Sequence, residues 1–192
     1  VYFIDELAYV CCGFGIVVVD LERMEVKDTY IIGRDGSYLN VNDITVYDGK
    51  FYAATSSGVY YADCDNENLA DYSQWRRDNT MIHVSINYSE IETFNDELLA
   101  NYSENKYGTD TLFVFNGENW DYFDKSSHAI KRDIKVQDNR LLLAEHYSVK
   151  VLNKNHSTIL DAYTDLEPFA ATYDKNENVY WIGDRNNSLI KM

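Results

Sequence analysis

Proline is almost absent from this chain: Pro168 is its single copy in 192 residues. No Pro-rich linker therefore divides the sequence. Cysteine is scarce too, with Cys11, Cys12 and Cys64 only. Three cysteines cannot all pair with one another, and no CxxC pair or zinc-type Cys/His spacing is present. Cys11 and Cys12 are adjacent in an apolar stretch, so alternation sends their side chains to opposite faces. All three read as small core residues. Basic residues are outnumbered, 17 Lys and Arg against 32 Asp and Glu, for a formal net charge of -15. Nucleic-acid partners are excluded, because that affinity rests on cationic groups neutralising phosphates. An anionic membrane surface is disfavoured for the same reason, and the acidity reads as solubility. The most apolar stretch, residues 7–19, is too short to span a bilayer and contains Gly13 and Gly15. No long segment keeps the helical period of about 3.6 residues. The sequence opens on Val1, with no signal-peptide pattern, and reads as a segment of a longer protein.

What is abundant is aromatic: 17 Tyr, 8 Phe and 3 Trp. Such residues favour strands. A short apolar strand followed by a turn and an aromatic-rich strand recurs five times. The copies start at Ala8, Phe51, Leu98, Leu141 and Val179, spaced 43, 47, 43 and 38 residues apart. A repeat of roughly 40–50 residues built from short strands is the signature of a β-propeller blade. The fold class expected is thus all-β, a propeller of four-stranded antiparallel blades. The blades fall at about residues 1–33, 41–77, 88–123, 130–163 and 169–192. The last stops after three strands, so the ring is expected to be incomplete, with about five blades in this segment. Asp48-Gly49, Asn95-Asp96 and Asp138-Asn139 mark tight hairpins between first and second strands.

Blade geometry sorts the loops. Turns between second and third strands share one rim of the disc with the links between blades, and the remaining hairpins share the other. The long inter-blade links, 33–43, 78–90 and 124–132, lie on the first rim, as does the enlarged 103–110 turn. Loops on a rigid scaffold are where binding resides. His83, Tyr88, Tyr102 and Tyr107 are the candidate binding face; the competing reading is that these aromatics pack the blades.

No catalytic motif is present: no nucleophile elbow, P-loop, dinucleotide fingerprint or HExxH. His83, His128, His146 and His156 stand apart without metal-ligand spacing. No S-x-D-x-G-x-T-W turn of the sialidase type occurs. Asp63–Glu67 and Asp174–Asn178 alternate oxygen-bearing side chains but lack the calcium loop's central glycine and distal glutamate, and read as turns. No catalytic residue, metal site or cofactor is expected.

Two stretches carry something more specific. Cys12-Gly13-Phe14-Gly15 runs on through Asp20-Leu21 and the strand at Val26–Gly33. Then come Val41–Val46, Tyr52–Tyr60 and Asn68-Leu69-Ala70-Asp71-Tyr72-Ser73-Gln74-Trp75. Over residues 7–75 the chain resembles the first propeller of PorZ-like proteins, accessory to type IX secretion and often classed as two-component-regulator propellers. Beyond that stretch only the blade rhythm persists, and Cys12 departs from the Thr or Ser expected before Gly-Phe-Gly. The resemblance implies a non-catalytic interaction scaffold in an exported protein of the periplasm, outer membrane or cell surface. It implies two propellers, a C-terminal β-sandwich, and protein partners in a sortase complex that attaches cargo to lipopolysaccharide. A glycan or lipopolysaccharide is a further candidate partner. The alternative is the periplasmic, glycan-sensing propeller of a hybrid two-component system, approached here only by Tyr180-Trp181-Ile182-Gly183. A propeller hydrolase or lyase is the third reading. Phe14 and Trp75 are expected to be buried.

Overall fold

The computed structural model describes residues 1–103, 109–125, 129–163 and 165–192. Five antiparallel sheets follow one another, each a meander in chain order. The first holds β1 (Tyr2–Ile4), β2 (Leu7–Cys12), β3 (Gly15–Asp20) and β4 (Glu25–Tyr30). The second holds β5 (Val41–Tyr47), β6 (Lys50–Thr55), β7 (Gly58–Asp63) and the short β8 (Arg76–Arg77). The third holds β9 (Tyr88–Phe94), β10 (Glu97–Ser103), β11 (Asp110–Phe115) and β12 (Trp120–Tyr122). The fourth holds β13 (Lys131–Gln137), β14 (Arg140–Glu145), β15 (Val149–Asn153) and β16 (Thr158–Ala162). The fifth has three strands, β17 (Pro168–Asp174), β18 (Val179–Asp184) and β19 (Ser188–Lys191). These are propeller blades, and among the described residues the first and fifth do not join into a closed ring.

The hairpins form where the sequence places them, and for a backbone reason. Asp48 and Gly49, Asn95 and Asp96, and Asp138 and Asn139 all take positive φ, between 47° and 70°. Two successive residues of that kind define the turn whose twist matches antiparallel strands, and Gly, Asn and Asp bear it best. The two calcium-like segments are turns as expected: Asp174 Oδ1 accepts from the Asn176 and Glu177 N–H groups. Asn66 N–H donates to the Asp63 carbonyl.

Four apolar seams hold the blades face to face. The first unites Tyr9, Ile16 and Val18 with Phe51, Ala53 and Trp75. The second unites Tyr52, Ala54 and Val59 with Tyr88, Leu98 and Phe113. Leu99 and Leu112 meet Ile134, Leu141 and Leu143 in the third, and Leu142, Val149 and Val151 meet Ala171 and Ile182 in the fourth. Successive residues of β6 therefore feed different seams, which is the two-residue period of a strand buried on both sides.

Cys11 and Cys64 pack at the edge of the first seam, partly buried and unpaired. Burial pushes the Cys11 thiol up to about 12 and the Cys64 thiol to about 11, so neither supplies a reactive thiolate near neutral pH. Trp75 is buried as expected, and its indole N–H donates to the Leu69 carbonyl at 2.9 Å. Phe14 is not: its ring is 38% exposed at the tip of the β2–β3 turn, 6.0 Å from the exposed Tyr38 ring. The Gly13 and Gly15 flanks put Phe14 at a turn apex, beyond the reach of the seam.

Trp75→Ala should accordingly cost about 3–5 kcal/mol in chemical denaturation, the range for removing a large buried ring. Phe14→Ala should cost under about 1 kcal/mol. Equal losses for the two would contradict this placement.

Candidate interaction face

The connection from β8 to β9 carries His83 and is pinned at both ends. Asp78, buried at its start, accepts Thr80 N–H at 2.8 Å through Oδ1. Its Oδ2 accepts the indole N–H of Trp120, on the outermost strand of the next blade, at 3.0 Å. At the far end the Asn42 side chain donates to the Tyr88 carbonyl at 2.6 Å. In between, Gly58 N–H donates to the Ile86 carbonyl at 2.7 Å. Gly58 has φ +111°, and a Cβ there would sit 2.3 Å from the Val84 carbonyl oxygen. Glycine is thus required both for its own backbone and for the close lie of residues 84–86.

So anchored, the exposed His83 ring stands 5.1 Å from the Tyr102 ring and 6.1 Å from Phe113. Tyr102 in turn lies 6.2 Å from Tyr88. Of the four residues singled out from the sequence, the structure brings three together, and they differ in role. His83 is exposed and Tyr102 half-buried. Tyr88 corrects the expectation: it is fully buried, and its hydroxyl donates to the His83 carbonyl at 3.0 Å. It opens β9 rather than lying in a loop, because a bulge at Asn101/Tyr102 extends the pairing to Tyr102 opposite Tyr88. Burial raises its phenol pKa well above the usual value. Tyr88 is therefore a pillar under the face. Tyr107 lies outside the described residues.

The two rims differ chemically. The rim carrying His83 also presents Phe14, Tyr38, Tyr147 and Tyr163, the last two 60% and 70% exposed. His146 stacks on Tyr147 with ring centroids 3.9 Å apart. The opposite rim carries the acidic hairpins, with Asp5, Asp48, Asp96, Asp138 and Asp174. Asp78, Trp120 and the Tyr147–Tyr163 pair escaped sequence reasoning. Only the turn slot of Tyr147 could have signalled any of them.

A third feature lies along the innermost strands. Asp43 Oδ2 accepts Ile91 N–H of the next blade at 3.0 Å, and Asp133 Oδ2 accepts Ala171 N–H at 3.2 Å. In the intervening blade the matching position is Glu90: Asp43 pairs across to Ala54, Glu90 to Asn101 and Asp133 to Ala144. Burial, then the charge of Asp43, pushes the Glu90 carboxyl up to about 9 and that of Glu92 to about 8. Burial likewise lifts Asp43 to about 6 and raises Asp133. These acids keep protons where ordinary carboxylates have lost them.

With this geometry in view, the class is plain: an unclosed run of β-propeller blades. Residues 1–76 match the family model for the PorZ N-terminal β-propeller domain of type IX secretion, in line with the resemblance carried by residues 7–75. No curated protein matches the chain. Among solved structures it is similar to PorZ of Porphyromonas gingivalis, an essential surface component of the type IX secretion system. That overlay has a TM-score of 0.71 at 13% identity and covers 99% of this chain and 24% of that one. It is also similar to the extracellular domain of the hybrid two-component system BT3049 of B. thetaiotaomicron. Here the TM-score is 0.65 at 14% identity, covering 98% and 26%. YCF48 bound to D1 peptide gives a TM-score of 0.67 at 9% identity, covering 98% and 60%. The chain spans about a quarter of the length of the PorZ and BT3049 chains.

Glu90 and Glu92 set a pH dependence. In the unfolded chain a glutamate titrates near 4.3, so above that pH the native state holds protons the unfolded state has released. Stability should fall as pH rises from about 5 to about 9, and a Glu90→Gln/Glu92→Gln double variant should flatten the trend in thermal melts. A wild-type protein that melts higher at pH 9 than at pH 6 would rule this out. Separately, Gly58→Ala should cost about 1–3 kcal/mol. It should also accelerate amide exchange across residues 84–88; unchanged exchange would refute the anchoring role.

Proposed function

We propose that this propeller segment is a non-catalytic interaction scaffold of an exported, surface-associated protein, serving an assembly of the type IX secretion kind. The observation that carries this reading is the chemical asymmetry of the disc. Rings gather on the loop-bearing rim, the exposed His83 beside the half-buried Tyr102 and the exposed Tyr147 and Tyr163, while the hairpin rim carries Asp5, Asp48, Asp96, Asp138 and Asp174. Rigid blades support the rings, so binding there costs little ordering of the scaffold. The match of residues 1–76 to the PorZ N-terminal propeller supports the setting. The YCF48 complex supports the idea that a propeller of this shape accommodates a polypeptide. Partners of the secretion or sortase complex are the ligands we assign to the rim.

A second reading, a periplasmic glycan-sensing propeller, is favoured by one observation: Tyr147 and Tyr163 share a shelf with Asn186 and Asn187, aromatic platforms beside amide groups. The structural likeness to BT3049 supports it.

In the full-length protein, the His83→Ala/Tyr102→Ala pair should reduce surface attachment of secreted cargo at least fivefold at unchanged protein level, and His83→Ala alone, at an exposed position, should reduce it with the melting temperature unchanged. Cargo attachment equal to wild type would defeat the scaffold reading. So would robust hydrolysis of a glycoside panel abolished by a single Asp or Glu substitution. Tight binding on a glycan array, lost in Tyr147→Ala with cargo attachment intact, would favour the sensor.

A further inference from the structure

A concavity of about 510 Å3 opens on the aromatic rim where the first blade meets the second. That volume suits a small ligand or the end of a chain. Its walls are unlike the rest of the molecule. In a chain with 32 acidic and 17 basic residues, two arginines, Arg34 and Arg77, line this hollow, and Asp35 is the one acid among its lining residues. Asp35 lies 3.6 Å from Arg34, so these two exposed charges offset each other and Arg77 is the cation left to meet an anion. Arg77 donates through Nη1 to Ser85 at 2.9 Å, which steadies the guanidinium.

The remaining wall combines apolar and aromatic groups with Ser37, Ser57, Ser73 and Asn79. Ile32 and Leu39 line it with Tyr72 and Trp75. Trp75 offers only ring surface, because its N–H is bonded to the Leu69 carbonyl. Tyr72 is 42% exposed and lies against Gly36, where a Cβ would come within 3.3 Å of the ring. The frame is held from within. Gly36 and Ser37 N–H groups donate to the Gly33 and Arg34 carbonyls at 3.1 Å, and the Asp71 side chain caps the short 3-10 turn Tyr72–Gln74. A Cβ on Gly33 would meet the Ser37 carbonyl at 2.2 Å, so the turn closes only with glycine there. The pocket is pre-formed.

A guanidinium presents donors in a planar fork that fits a carboxylate through two parallel hydrogen bonds. The apolar wall beside it accepts the body to which that carboxylate is attached. We propose that this pocket binds a carboxylate carried on an aromatic or large aliphatic group, as found at the C-terminal end of a peptide. Arg77 holds the anion with Arg34 at the mouth, and Leu39 and the exposed face of Tyr72 receive the terminal side chain over a floor formed by the buried Ile32 and Trp75. Neither His83 nor Tyr102 lines the site, although Arg77 touches the link that carries His83 through Ser85, and so the ligand titration is read apart from cargo attachment.

The test is an NMR titration of the full chain with N-acetyl-phenylalanine, with its amide and with glucuronate, following the Trp75 indole N–H signal. The acid should shift that signal saturably, and the amide should bind at least tenfold more weakly. Arg77→Gln should weaken the acid at least tenfold; should that variant fail to fold, Arg34→Gln, at an exposed rim position, should weaken it at least threefold. Equal binding of acid and amide would overturn the proposal. Tighter binding of glucuronate than of N-acetyl-phenylalanine, or an acid-induced shift untouched by the arginine substitution, would also overturn it.

Discussion

The second strand of each inner blade is buried from both sides, and the rest of the molecule answers to that demand. In β6, Phe51 and Ala53 face one neighbouring blade while Tyr52 and Ala54 face the other. The same division recurs in β10 with Leu98 and Leu99, and in β14 with Leu141 and Leu142. A strand with no polar face cannot stand in water, so a blade is not a stable object by itself. It requires neighbours, as repeat units generally do. The outer strands, flanked on one side only, are free to be polar: β4 exposes Glu25 and Lys27, and β16 exposes Thr158 and Asp161.

That arrangement leaves one edge of each innermost strand without a strand partner, and the polar backbone there must be satisfied otherwise. Side chains from the preceding blade do it. Asp43 serves Ile91, Asp133 serves Ala171, and Gln137 accepts the Tyr173 N–H at 2.9 Å. Thr93 returns a bond to the Val46 carbonyl at 2.7 Å. Acids are thereby gathered along the inner strands, partly desolvated and close to one another, which is why Glu90 and Glu92 hold protons to unusually high pH. Their crowding follows from joining blades and requires no ligand.

The rims inherit what the seams do not use. Short 1–2 hairpins need residues that tolerate positive φ, and Asp and Asn meet that need, so their rim is acidic. The other rim bears longer links whose conformation is set by tertiary anchors such as Asp78–Trp120 and Gly58–Ile86. There the sequence is free to display rings, and the aromatic surface around His83, Tyr102, Tyr147 and Tyr163 and the arginine-lined hollow both lie there.

Much of this was legible in one dimension. Period-2 alternation, the spacing of the five copies and the Asp-Gly, Asn-Asp and Asp-Asn turns determine strands, hairpins and blade repeat, because each depends on backbone preferences within a few residues. The motif over residues 7–75 was readable for the same reason. Exposure at the ends of elements was not. Phe14 and Trp75 look alike as large aromatics, yet one caps a turn and the other fills a seam; Tyr88 reads as a loop residue until a bulge draws it into β9. Arg34 and Arg77 stand 43 residues apart in the chain, and only the docking of the first blade on the second brings them to one hollow. The sequence by itself determined the repeating unit, since local hydrogen bonding and alternation are properties of neighbours. Which side chains meet, and which are left facing solvent, was decided only in three dimensions, because seams join residues that the chain holds far apart.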